Sequence, residues 1–463
     1  MDSLKDKVPG YNKLVVPYHE AKAAIMGAKY KFPARKLKVI GVTGTNGKTS
    51  TCFMIWKMLN ASGRKTGLMT TVAWGVDKLE NQIEHMTTVD SKTLNERISK
   101  IAEAGAEYLV LEVTSHALAQ HRTFGVPIEV AVMTNVTHDH LDYHGTFENY
   151  RDAKRKLFKK AKFGVVNADD KSGIWFMQDV KDYVTYGIKH GKVQARKIKL
   201  AVSGVEYACS DIDVKQVEVD EGAVDKAKKA VKRKRAKHNK IEGLTIKTQI
   251  PGEFNVYNSL AAALVGARLG LTKEEIEEGI YALESVEGRM NRVDMGQDFG
   301  VIVDYAHTPD AFLKVYVSVN RGVKGRVISL FGGAGRRDET TRAERGEIGA
   351  KYSDVVIITE DDSRDEDPEL IAKQFAEGAE RAGKKMGEDL FIELSRAKAI
   401  AMAIKMAEPG DLVLVLGKGH EKTILRADGP HDFEDLKVTR KALSKRLEQQ
   451  ARRQAAQAQQ AQQ

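Results

Sequence analysis

The sequence feature that most constrains the fold is a glycine-rich segment, GVTGTNGKTS at 41–50, which follows the largely apolar run Leu37–Ile40. A short buried strand, a glycine-rich turn and then a helix form the arrangement that binds nucleotide phosphates, because the loop amides and the helix N-terminus point toward the anion. In this arrangement Lys48 reaches the β- and γ-phosphates, and the Thr49 hydroxyl binds Mg²⁺. The strict P-loop pattern fails by one position, since residue 42 is valine and the first glycine is Gly41. We therefore predict a variant P-loop that binds ATP and Mg²⁺ through Gly44, Thr45, Asn46, Gly47, Lys48, Thr49 and Ser50; the alternative is a glycine turn without a ligand.

The length and composition of the chain favour a multidomain enzyme. Its 463 residues exceed one ordinary hydrophobic core, so we expect about two or three domains. No apolar run approaches the ~20 residues that span a bilayer, and the N-terminus lacks the apolar stretch of a secretory signal. The two cysteines, Cys52 and Cys209, cannot build a disulfide framework and do not have metal-ligand spacing. We expect a cytoplasmic protein without a transmembrane segment.

The net charge of +10 is concentrated in one block. Residues 226–240 (KAKKAVKRKRAKHNK) carry a dense run of positive charge inside an insertion at 222–240. Such blocks repel themselves, so we interpret this one as a solvated insertion. Contact with nucleic acid or with an anionic membrane surface is the alternative. The tail at 449–463 is rich in Gln and Ala, and we expect it to be disordered or a loosely helical extension.

Alternating apolar runs and helical patterns predict two successive α/β units. In the first, we expect a mostly parallel sheet from Lys38–Val42, Tyr108–Val113, Val130–Thr134 and Gly164–Asn167. Shorter β-like runs between 187 and 248 predict a small antiparallel appendage to this sheet (Ile198–Val202, Val217–Val219 and Leu244–Ile250). Helical patterning returns over Asn255–Leu283.

The second α/β unit begins near Arg289. Its predicted strands are Val301–Asp304, Arg326–Phe331, Asp354–Thr359 and Asp411–Leu416, and its predicted helices are Pro309–Val317, Arg342–Tyr352, Pro368–Ala382 and Ser395–Ala407. Each strand runs into a polar loop at its C-terminal end, where open α/β sheets bind ligands.

Three polar clusters follow the P-loop in the first unit. Glu112 ends a hydrophobic strand, where a carboxylate is costly unless it is paired or bound to a metal. The segment at 134–145 (TNVTHDHLDYHG) holds three histidines and two aspartates, which suit either zinc or Mg²⁺. The third cluster, Tyr150–Phe158, reads as an amphipathic helix, and its pattern taken alone places Lys154 in solvent.

The ordered motifs resemble those of the Mur ligase family, and within it the type that adds the third amino acid to the peptidoglycan stem peptide. The motifs are TGTNGKT (43–49), EVTSH (112–116), DHLDYHG (139–145), NADD (167–170), GEFNVYN (252–258), GRM (288–290), DYAHTP (304–309) and GKGHE (417–421). They occur in the family's order and span nearly the whole chain. The resemblance implies a central ATP-binding Mur ligase domain at 38–288, a Rossmann-like C-terminal domain at 289–448 and a short N-terminal extension at 1–37.

The resemblance also implies an activity. It is the ATP-dependent, ADP-forming joining of an amino acid to a muramoyl peptide through an acyl phosphate, in peptidoglycan precursor synthesis. The implied catalytic and metal residues are Lys48, Thr49, Glu112, His140 and Lys154. His140 would hold a second Mg²⁺, and Lys154 falls at the family's carbamylated lysine. The implied nucleotide contacts are Asn255, Asn258, Arg289, Asp304 and His307. The implied contacts to the UDP-linked peptide and to the incoming amino acid are Thr87, Thr88, Ser115, Gln120, Arg122, Arg337, Asp361, Asp362, Arg364, Gly417 and Glu421.

The chain departs from the family pattern at three places. The usual Thr-Thr-Pro-Asp appears with Val89 in place of proline. The diaminopimelate type carries Asp-Asn-Pro-Arg, and here the segment is DDSR at 361–364, which keeps the arginine. Arginine binds a carboxylate in bidentate fashion and favours diaminopimelate, while Asp362 adds an acceptor for an ammonium group, as lysine would need. About 37 residues precede the P-loop strand, fewer than an independent core requires, so we expect most of the family's uridine-binding domain to be missing.

Three hypotheses follow. The leading one is a monomeric, cytoplasmic ligase that uses ATP and Mg²⁺ to add meso-diaminopimelate to UDP-N-acetylmuramoyl-L-Ala-D-Glu, without a nucleic-acid partner. The second is a related ligase with another acceptor, such as a lipid-linked precursor, a folate or poly-γ-glutamate, or an amidating enzyme. The third, from a different class, is a P-loop ATPase that binds nucleic acid through its basic block, although no convincing Walker B strand is found.

Overall fold

The computed structural model describes residues 11–82, 84, 86–201, 204–217, 238–320 and 323–461. The chain divides into two units. The first comprises Met1–His138 and His144–Glu284, and the second comprises Asp139–Tyr143 and Ser285–Gln463. Each unit is built on its own large sheet, as the alternating pattern predicts.

The first unit is built on an eleven-stranded sheet, with the order β13-β10-β9-β8-β7-β6-β1-β5-β2-β3-β4. The central strand β1 pairs in parallel with β5 on one side and with β6 on the other. Strands β9, β10 and β13 form an antiparallel edge, which confirms the predicted appendage. The strands are β1 (Lys38–Thr43), β2 (Thr66–Met69), β3 (Ala73–Gly75), β4 (Leu79–Asn81), β5 (Tyr108–Glu112), β6 (Ile128–Met133), β7 (Ala161–Asn167), β8 (Tyr183–Gly187), β9 (Val193–Ala201), β10 (Gly204–Cys209) and β13 (Thr245–Thr248), and a separate pair is formed by β11 (Ile212–Lys215) and β12 (His238–Ile241).

The helices of the first unit cover this sheet. Helix α2 follows β1, and its Met58 packs so closely on α9 that a side-chain carbon at Gly279 would lie 2.7 Å from the Met58 Cα. Helix α9 starts with a capping box between Thr272 and Glu275. The helices are α1 (Tyr11–Lys29), α2 (Lys48–Ala61), α3 (Ser91–Glu103), α4 (Ser115–Ala119), α6 (Phe147–Phe158), α7 (Gly173–Met177), α8 (Phe254–Arg268) and α9 (Lys273–Tyr281), with a 3₁₀ turn at Pro33–Lys36. The short helix α5 (Leu141–His144) falls largely in the segment Asp139–Tyr143, which belongs to the second unit.

The second unit contains a six-stranded sheet with the order β14-β15-β19-β16-β17-β18. All its pairings except β14–β15 are parallel, as expected for a Rossmann-like arrangement. Fully buried Val301, Ile328 and Val413 belong to its core. The elements are β14 (Asn291–Arg292), β15 (Gly300–Asp304), α10 (Pro309–Asn320), β16 (Val327–Phe331), α11 (Thr340–Tyr352), β17 (Val355–Ile358), α12 (Pro368–Arg381), β18 (Leu390–Ile392), α13 (Arg396–Met406), β19 (Leu412–Leu416), the hairpin β20 (Thr423–Arg426) and β21 (Gly429–Asp432), and α14 (Asp435–Ala461).

Two sequence-based expectations concern segments at the margins. Helix α14 continues to Ala461 and so includes residues 449–461 of the predicted tail, whose disorder stays a prediction. Residues 222–237 of the basic insertion lie outside the described residues, as do positions 218 and 219 of the strand predicted at Val217–Val219. No helix among the described residues is both long and apolar enough to cross a membrane.

Candidate nucleotide, acceptor and amino-acid sites

The loop between β1 and α2 needs glycine at two positions. At Gly44, with φ of +151°, a side-chain carbon would lie 1.9 Å from the Thr134 hydroxyl oxygen. At Gly47, with φ of +83°, it would lie 2.3 Å from the side-chain oxygen of Asn258. Larger residues are therefore excluded from both positions by close neighbours and, at Gly47, by backbone conformation as well. The predicted glycine-rich loop is present, and it begins α2 at Lys48.

Residues that directly follow β6 hold the loop by hydrogen bonds. The Asn46 N–H donates to the Asn135 side-chain oxygen at 2.9 Å, and the Asn135 amide donates back to the Asn46 carbonyl at 3.0 Å. The Thr134 hydroxyl donates to that same carbonyl at 2.7 Å. Asn135 and Thr134 were missed as functional residues, although they stand in the predicted polar cluster directly after a strand. Their role is to fix the conformation of the loop.

Two lysines donate to main-chain carbonyls of this loop. Lys48 Nζ lies 2.7 Å from the Thr45 carbonyl oxygen, and Lys154 Nζ lies 2.6 Å from the Gly44 carbonyl oxygen. Lys154 is only 2% exposed and lies 4.3 Å from the centre of the Tyr150 ring. The amphipathic pattern taken alone was therefore wrong for Lys154. Helix α6 packs this face against the P-loop, a contact between distant segments that no local pattern reveals.

Thr49 and Glu112 form an oxygen-rich site beside the loop. The Thr49 hydroxyl donates to Glu112 Oε2 at 3.0 Å, and the Thr71 N–H donates to the same oxygen at 3.1 Å. Glu112 is 1% exposed at the C-terminal end of β5. A hydroxyl and a carboxylate are oxygen ligands of the kind that Mg²⁺ prefers, and Mg²⁺ needs few protein ligands when phosphates supply the others. These residues therefore fit the predicted metal.

His140 and His144 of the 134–145 segment contact different partners. His144 Nε2 lies 3.0 Å from the Ser115 hydroxyl, and its ring lies 5.4 Å from the ring of His116. His140 has a positive φ of +54°, and its Nε2 lies 3.4 Å from an Asp139 carboxylate oxygen. Within the described residues, the histidines form no three-ligand metal group, so the zinc alternative gains no support. The role of His140 as a second Mg²⁺ ligand stays a prediction.

The residues predicted to hold the acceptor peptide are joined through Thr88. Its hydroxyl donates to the Glu112 carbonyl at 2.9 Å, and Arg122 donates to the Thr88 carbonyl. Arg122 is in turn oriented by Gln120, whose side-chain oxygen accepts from Arg122 Nε at 2.9 Å. Thr87 accepts a hydrogen bond at 2.8 Å from Thr71, the residue that contacts Glu112. The structure therefore brings these residues beside the proposed metal site.

Asn255 and Asn258 lie on the first turns of α8, next to the P-loop. Both are buried, and the Asn258 amide donates to the Asn255 side-chain oxygen at 2.9 Å. The Asn258 side-chain oxygen also accepts from the Thr51 hydroxyl at 3.3 Å. This contact fastens α8 to α2, so Asn258 has a structural role in addition to its predicted nucleotide contact.

In the second unit, Asp304 organises the predicted nucleotide residues. Its carboxylate accepts the Met290 and Ala306 N–H groups, each at 2.7 Å. Burial raises the pKa of Asp304 against the opposing charge of Arg289. The Arg289 guanidinium lies 4.7 Å from the Tyr305 ring centre, and His307 Nδ1 lies 2.8 Å from the Tyr305 carbonyl oxygen.

The predicted amino-acid residues converge on a fully buried ammonium group. Lys418 Nζ donates to Glu421 at 2.6 Å, to Asp362 at 2.7 Å and to Asp361 at 3.3 Å. Gly417, with φ of +115°, stands so close that a side-chain carbon would lie 2.9 Å from the Asp361 carboxylate. We call Asp361, Asp362, Lys418 and Glu421 the carboxylate cluster. Lys418 was missed from the sequence, because burial of a lysine depends on partners brought from distant loops.

The cluster carries more negative than positive charge. Burial by itself lowers the pKa of Lys418, but the three carboxylates outweigh it and the net shift is upward. Glu421 has a pKa raised to about 7, since burial and the two aspartates outweigh Lys418. The Asp361 pKa is lowered, because Lys418 and Arg396 overcome the effect of burial. A proton on Glu421 near neutral pH therefore reduces the net negative charge of the cluster.

The two arginines predicted to grip the amino acid lie differently. Arg364 has φ of +55°, and its main-chain N–H donates to the Leu425 carbonyl at 2.8 Å. The main-chain N–H of Leu425 donates in turn to the carboxylate of Asp362, a cluster residue, at 3.0 Å. Arg337 is exposed, while its neighbour Arg336 pairs with Asp365. Contact of Arg337 with an amino acid stays a prediction.

Known protein families and individual proteins match both units of the chain. The Mur ligase middle domain family matches residues 42–266, and the Mur ligase glutamate ligase domain family matches residues 288–419. A UDP-N-acetylmuramoyl-L-alanyl-D-glutamate–2,6-diaminopimelate ligase of Clostridium acetobutylicum is 36% identical over 439 residues, 93% of this chain and 83% of the relative. A UDP-N-acetylmuramyl-tripeptide synthetase of Roseiflexus is 36% identical over 444 residues, 92% of this chain and 82% of the relative.

Solved structures show the same architecture. The structure of a UDP-N-acetylmuramoyl-L-alanyl-D-glutamate–2,6-diaminopimelate ligase has a TM-score of 0.60 at 26% identity, and the match covers 92% of this chain and 83% of that one. A folylpolyglutamate synthase of Mycobacterium tuberculosis, complexed with ADP, has a TM-score of 0.66 at 17% identity, covering 86% of this chain and 92% of that one, which shows the fold alone. The P-loop and two α/β units define an ATP-dependent, ADP-forming amide ligase. The chain belongs to the Mur ligase family.

Proposed function

We propose that this protein joins meso-diaminopimelate to the D-glutamate carboxylate of UDP-N-acetylmuramoyl-L-alanyl-D-glutamate, with ATP converted to ADP and phosphate. The observation that carries this proposal is the placement of Lys48, Lys154, Glu112 and Arg122 around one glycine-rich loop and the strand end beside it. The curated relatives at 36% identity are named for this reaction or for the tripeptide synthetase class.

The phosphate end of the reaction follows from the loop. ATP transfers its γ-phosphoryl group to the substrate carboxylate, which gives an acyl phosphate and ADP. Both reacting groups are anionic, so cations and oriented N–H donors are needed to bring them together. Lys48 and the amides of residues 44–50 would hold the β- and γ-phosphates. Thr49 and Glu112 would hold Mg²⁺, whose charge neutralises the phosphate oxygens when it is bound.

The amino-acid end follows from the carboxylate cluster. The incoming amine attacks the acyl phosphate, forms the amide bond, loses a proton and expels phosphate. Asp362 takes the place of the asparagine typical of diaminopimelate ligases, yet its carboxylate is engaged by Lys418 and by the Leu425 N–H. Its extra charge therefore does not by itself favour lysine. Arg364 remains the candidate donor to the distal carboxylate of diaminopimelate.

The finer assignments belong to the same proposal. Residues 38–288 would form the ATP-binding domain and 289–448 the domain that binds the amino acid. We propose further that the enzyme acts as a monomer in the cytoplasm on small-molecule substrates, without a nucleic-acid partner. Membership of the Mur ligase family argues against the nucleic-acid-binding ATPase.

The test is phosphate release from Mg-ATP in the presence of UDP-N-acetylmuramoyl-L-alanyl-D-glutamate, with diaminopimelate, lysine or no amino acid added. We expect release only with the muramoyl peptide, and faster with diaminopimelate than with lysine. A parallel reaction with a folate or poly-γ-glutamate acceptor separates the second hypothesis. Release that needs one of those acceptors and not the muramoyl peptide would overturn the proposal.

A further inference from the structure

A basic surface in the first unit is not used by the reaction described above. It consists of Lys22 on α1, Arg35 in the 3₁₀ turn, Arg122, Lys156 on the last turn of α6 and Lys160 in the turn that follows α6. Two histidines, His19 and His121, lie among these cations, as their electrostatic coupling to Arg122, Lys22, Lys156 and Lys160 indicates. We call this group the α1–α6 basic surface.

Packing of Phe32 fixes the α1 side of this surface. A side-chain carbon at Gly27 of α1 would lie 2.5 Å from the Phe32 ring, and one at Gly125 would lie 2.6 Å from it. The ring therefore stands between α1 and the turn that follows Arg122. The Arg35 guanidinium covers the same ring at 4.3 Å from its centre. These contacts bring the cations of α1 and of the 3₁₀ turn to the side of the 121–125 turn.

The opposite side of the surface is supplied by α6. Burial first, and then the charge of Lys156, lower the pKa of His121. Burial and a neighbouring lysine likewise lower the pKa of both Lys156 and Lys160, while Glu20 opposes the effect. Lys156 and Lys160 therefore lie within electrostatic reach of each other and of His121.

Negative charge on this surface is sparse. Among the described residues, no carboxylate lies within ion-pair distance of Lys22, Arg35, Lys156 or Lys160, although Glu20 lies within electrostatic reach of Lys156 and Lys160. Asp90 lies near Lys22, but its carboxylate caps α3 by accepting from Lys92 and Thr93. Arg122 joins the surface to Thr88 and therefore to the proposed acceptor site.

Several cations at the edge of an acceptor site attract an acceptor that carries negatively charged phosphate groups. We propose that the α1–α6 basic surface binds the diphosphate group of the acceptor substrate, whether that diphosphate is carried on a nucleotide or on a lipid. The proposal rests on the proposed function, because Arg122 is assigned there to the acceptor peptide. It adds a binding site for the carrier portion of that substrate.

The first experiment compares two double variants, Lys156→Gln/Lys160→Gln and the control Lys171→Gln/Lys181→Gln. The control removes the same charge from exposed lysines of the same unit that belong to no proposed site. With the UDP-linked acceptor, we expect KM for the acceptor to rise about tenfold in the first variant, with kcat nearly unchanged, because two charged contacts are lost. Equal KM values in the two variants would overturn the proposal.

A double variant on the other side of the surface shows whether an effect of the first variant comes only from local misfolding of α6. Lys22→Gln/Arg35→Gln should raise the same KM, and circular dichroism should show a native fold. Added salt should raise KM in the wild-type enzyme and much less in either variant, since exposed charges are screened. A rise in KM that depends on α6 alone and not on salt would contradict a shared anion site.

Direct binding separates this proposal from the proposed function. Calorimetry with inorganic pyrophosphate, in the presence of saturating Mg-ADP to fill the P-loop, should show binding that is weakened in Lys156→Gln/Lys160→Gln and unchanged in the control. Parallel measurements with UDP and with vesicles that contain a polyprenyl diphosphate identify the carrier. Binding that is the same in both double variants for every probe would overturn the surface, whatever the enzyme ligates. Lysine-dependent binding by an enzyme that ignores the muramoyl peptide would instead overturn only the proposed function.

Discussion

The P-loop of the first unit holds the half-buried Lys48 and the buried Lys154, and the carboxylate cluster of the second unit holds the buried Lys418, but the two sites hold their lysines in opposite ways. Lys48 and Lys154 donate to main-chain carbonyls of the loop itself, at 2.7 and 2.6 Å. Lys418 donates to three carboxylates. The loop lysines lie against the segment where phosphate is expected to bind, whereas the charge of Lys418 is offset by the surrounding carboxylates and the cluster remains acidic. The comparison teaches that Lys48 is placed to serve an incoming anion and Lys154 to support a metal ion through its predicted carbamate, while Lys418 maintains the structure of its site.

The largest expected effect tests the P-loop side of this comparison. Lys48→Ala should reduce ATP turnover by about 10³-fold, because a charged donor to the transferring phosphoryl group is lost. The fold should persist, since alanine is a strong helix former at this first position of α2. Phosphate release and circular dichroism measure the two quantities, and Lys57→Ala on the same helix is the control. Full turnover in Lys48→Ala would remove the P-loop assignment.

The corresponding change in the cluster should affect stability first. Lys418→Met leaves the buried Asp361 and Asp362 and the partly exposed Glu421 without the cation that joins them, and we expect it to lower the free energy of unfolding by about 3–5 kcal/mol. Urea denaturation measures this loss. Adding Asp362→Asn and Glu421→Gln to Lys418→Met should recover much of it, because both substitutions remove negative charge. No recovery would show that Lys418 stabilises the unit through packing instead of charge.

Lys154→Ala tests whether the second loop lysine serves the chemistry. The family resemblance predicts that the neutral amine of Lys154 adds CO₂ and releases a proton, which gives a carbamate that supports a metal ion. We expect about a 10²-fold loss of activity, as for residues that orient metal ligands. Short carboxylic acids should restore part of it, and they should not restore Lys48→Ala. Normal activity in Lys154→Ala would exclude the carbamate.

The smallest effect concerns the acidity of the cluster. Since the pKa of Glu421 is raised to about 7, the folded protein holds a proton that the unfolded chain releases near the ordinary glutamate pKa. The contribution of Glu421 to stability is therefore complete at acidic pH and is lost as pH rises toward about 7. Unfolding free energies measured across this range should decline in the wild type and decline less in Glu421→Gln. The same slope in both proteins would contradict the raised pKa.

The sequence predicted the features that depend on local spacing. The β1–loop–α2 unit, the parallel strands and the antiparallel edge can be derived from apolar runs and glycine positions, because these features are set by neighbouring residues. Lys154 could not be placed this way, since its helix pattern is compatible with solvent until α6 packs beneath the loop. Lys418 could not either, because its partners Asp361 and Asp362 are 57 and 56 residues away in the chain. Asn135 lies within the recognised 134–145 segment, but only the histidines and aspartates of that segment were predicted to be functional.

The central claim is that the acidic cluster and the P-loop serve one ligation reaction. Mass spectrometry of the muramoyl peptide after incubation with Mg-ATP and diaminopimelate tests it most directly. The account predicts a product heavier by one diaminopimelate residue, formed together with one ADP and one phosphate, and absent with Lys48→Ala. An unchanged muramoyl peptide in a reaction that still consumes ATP would contradict it.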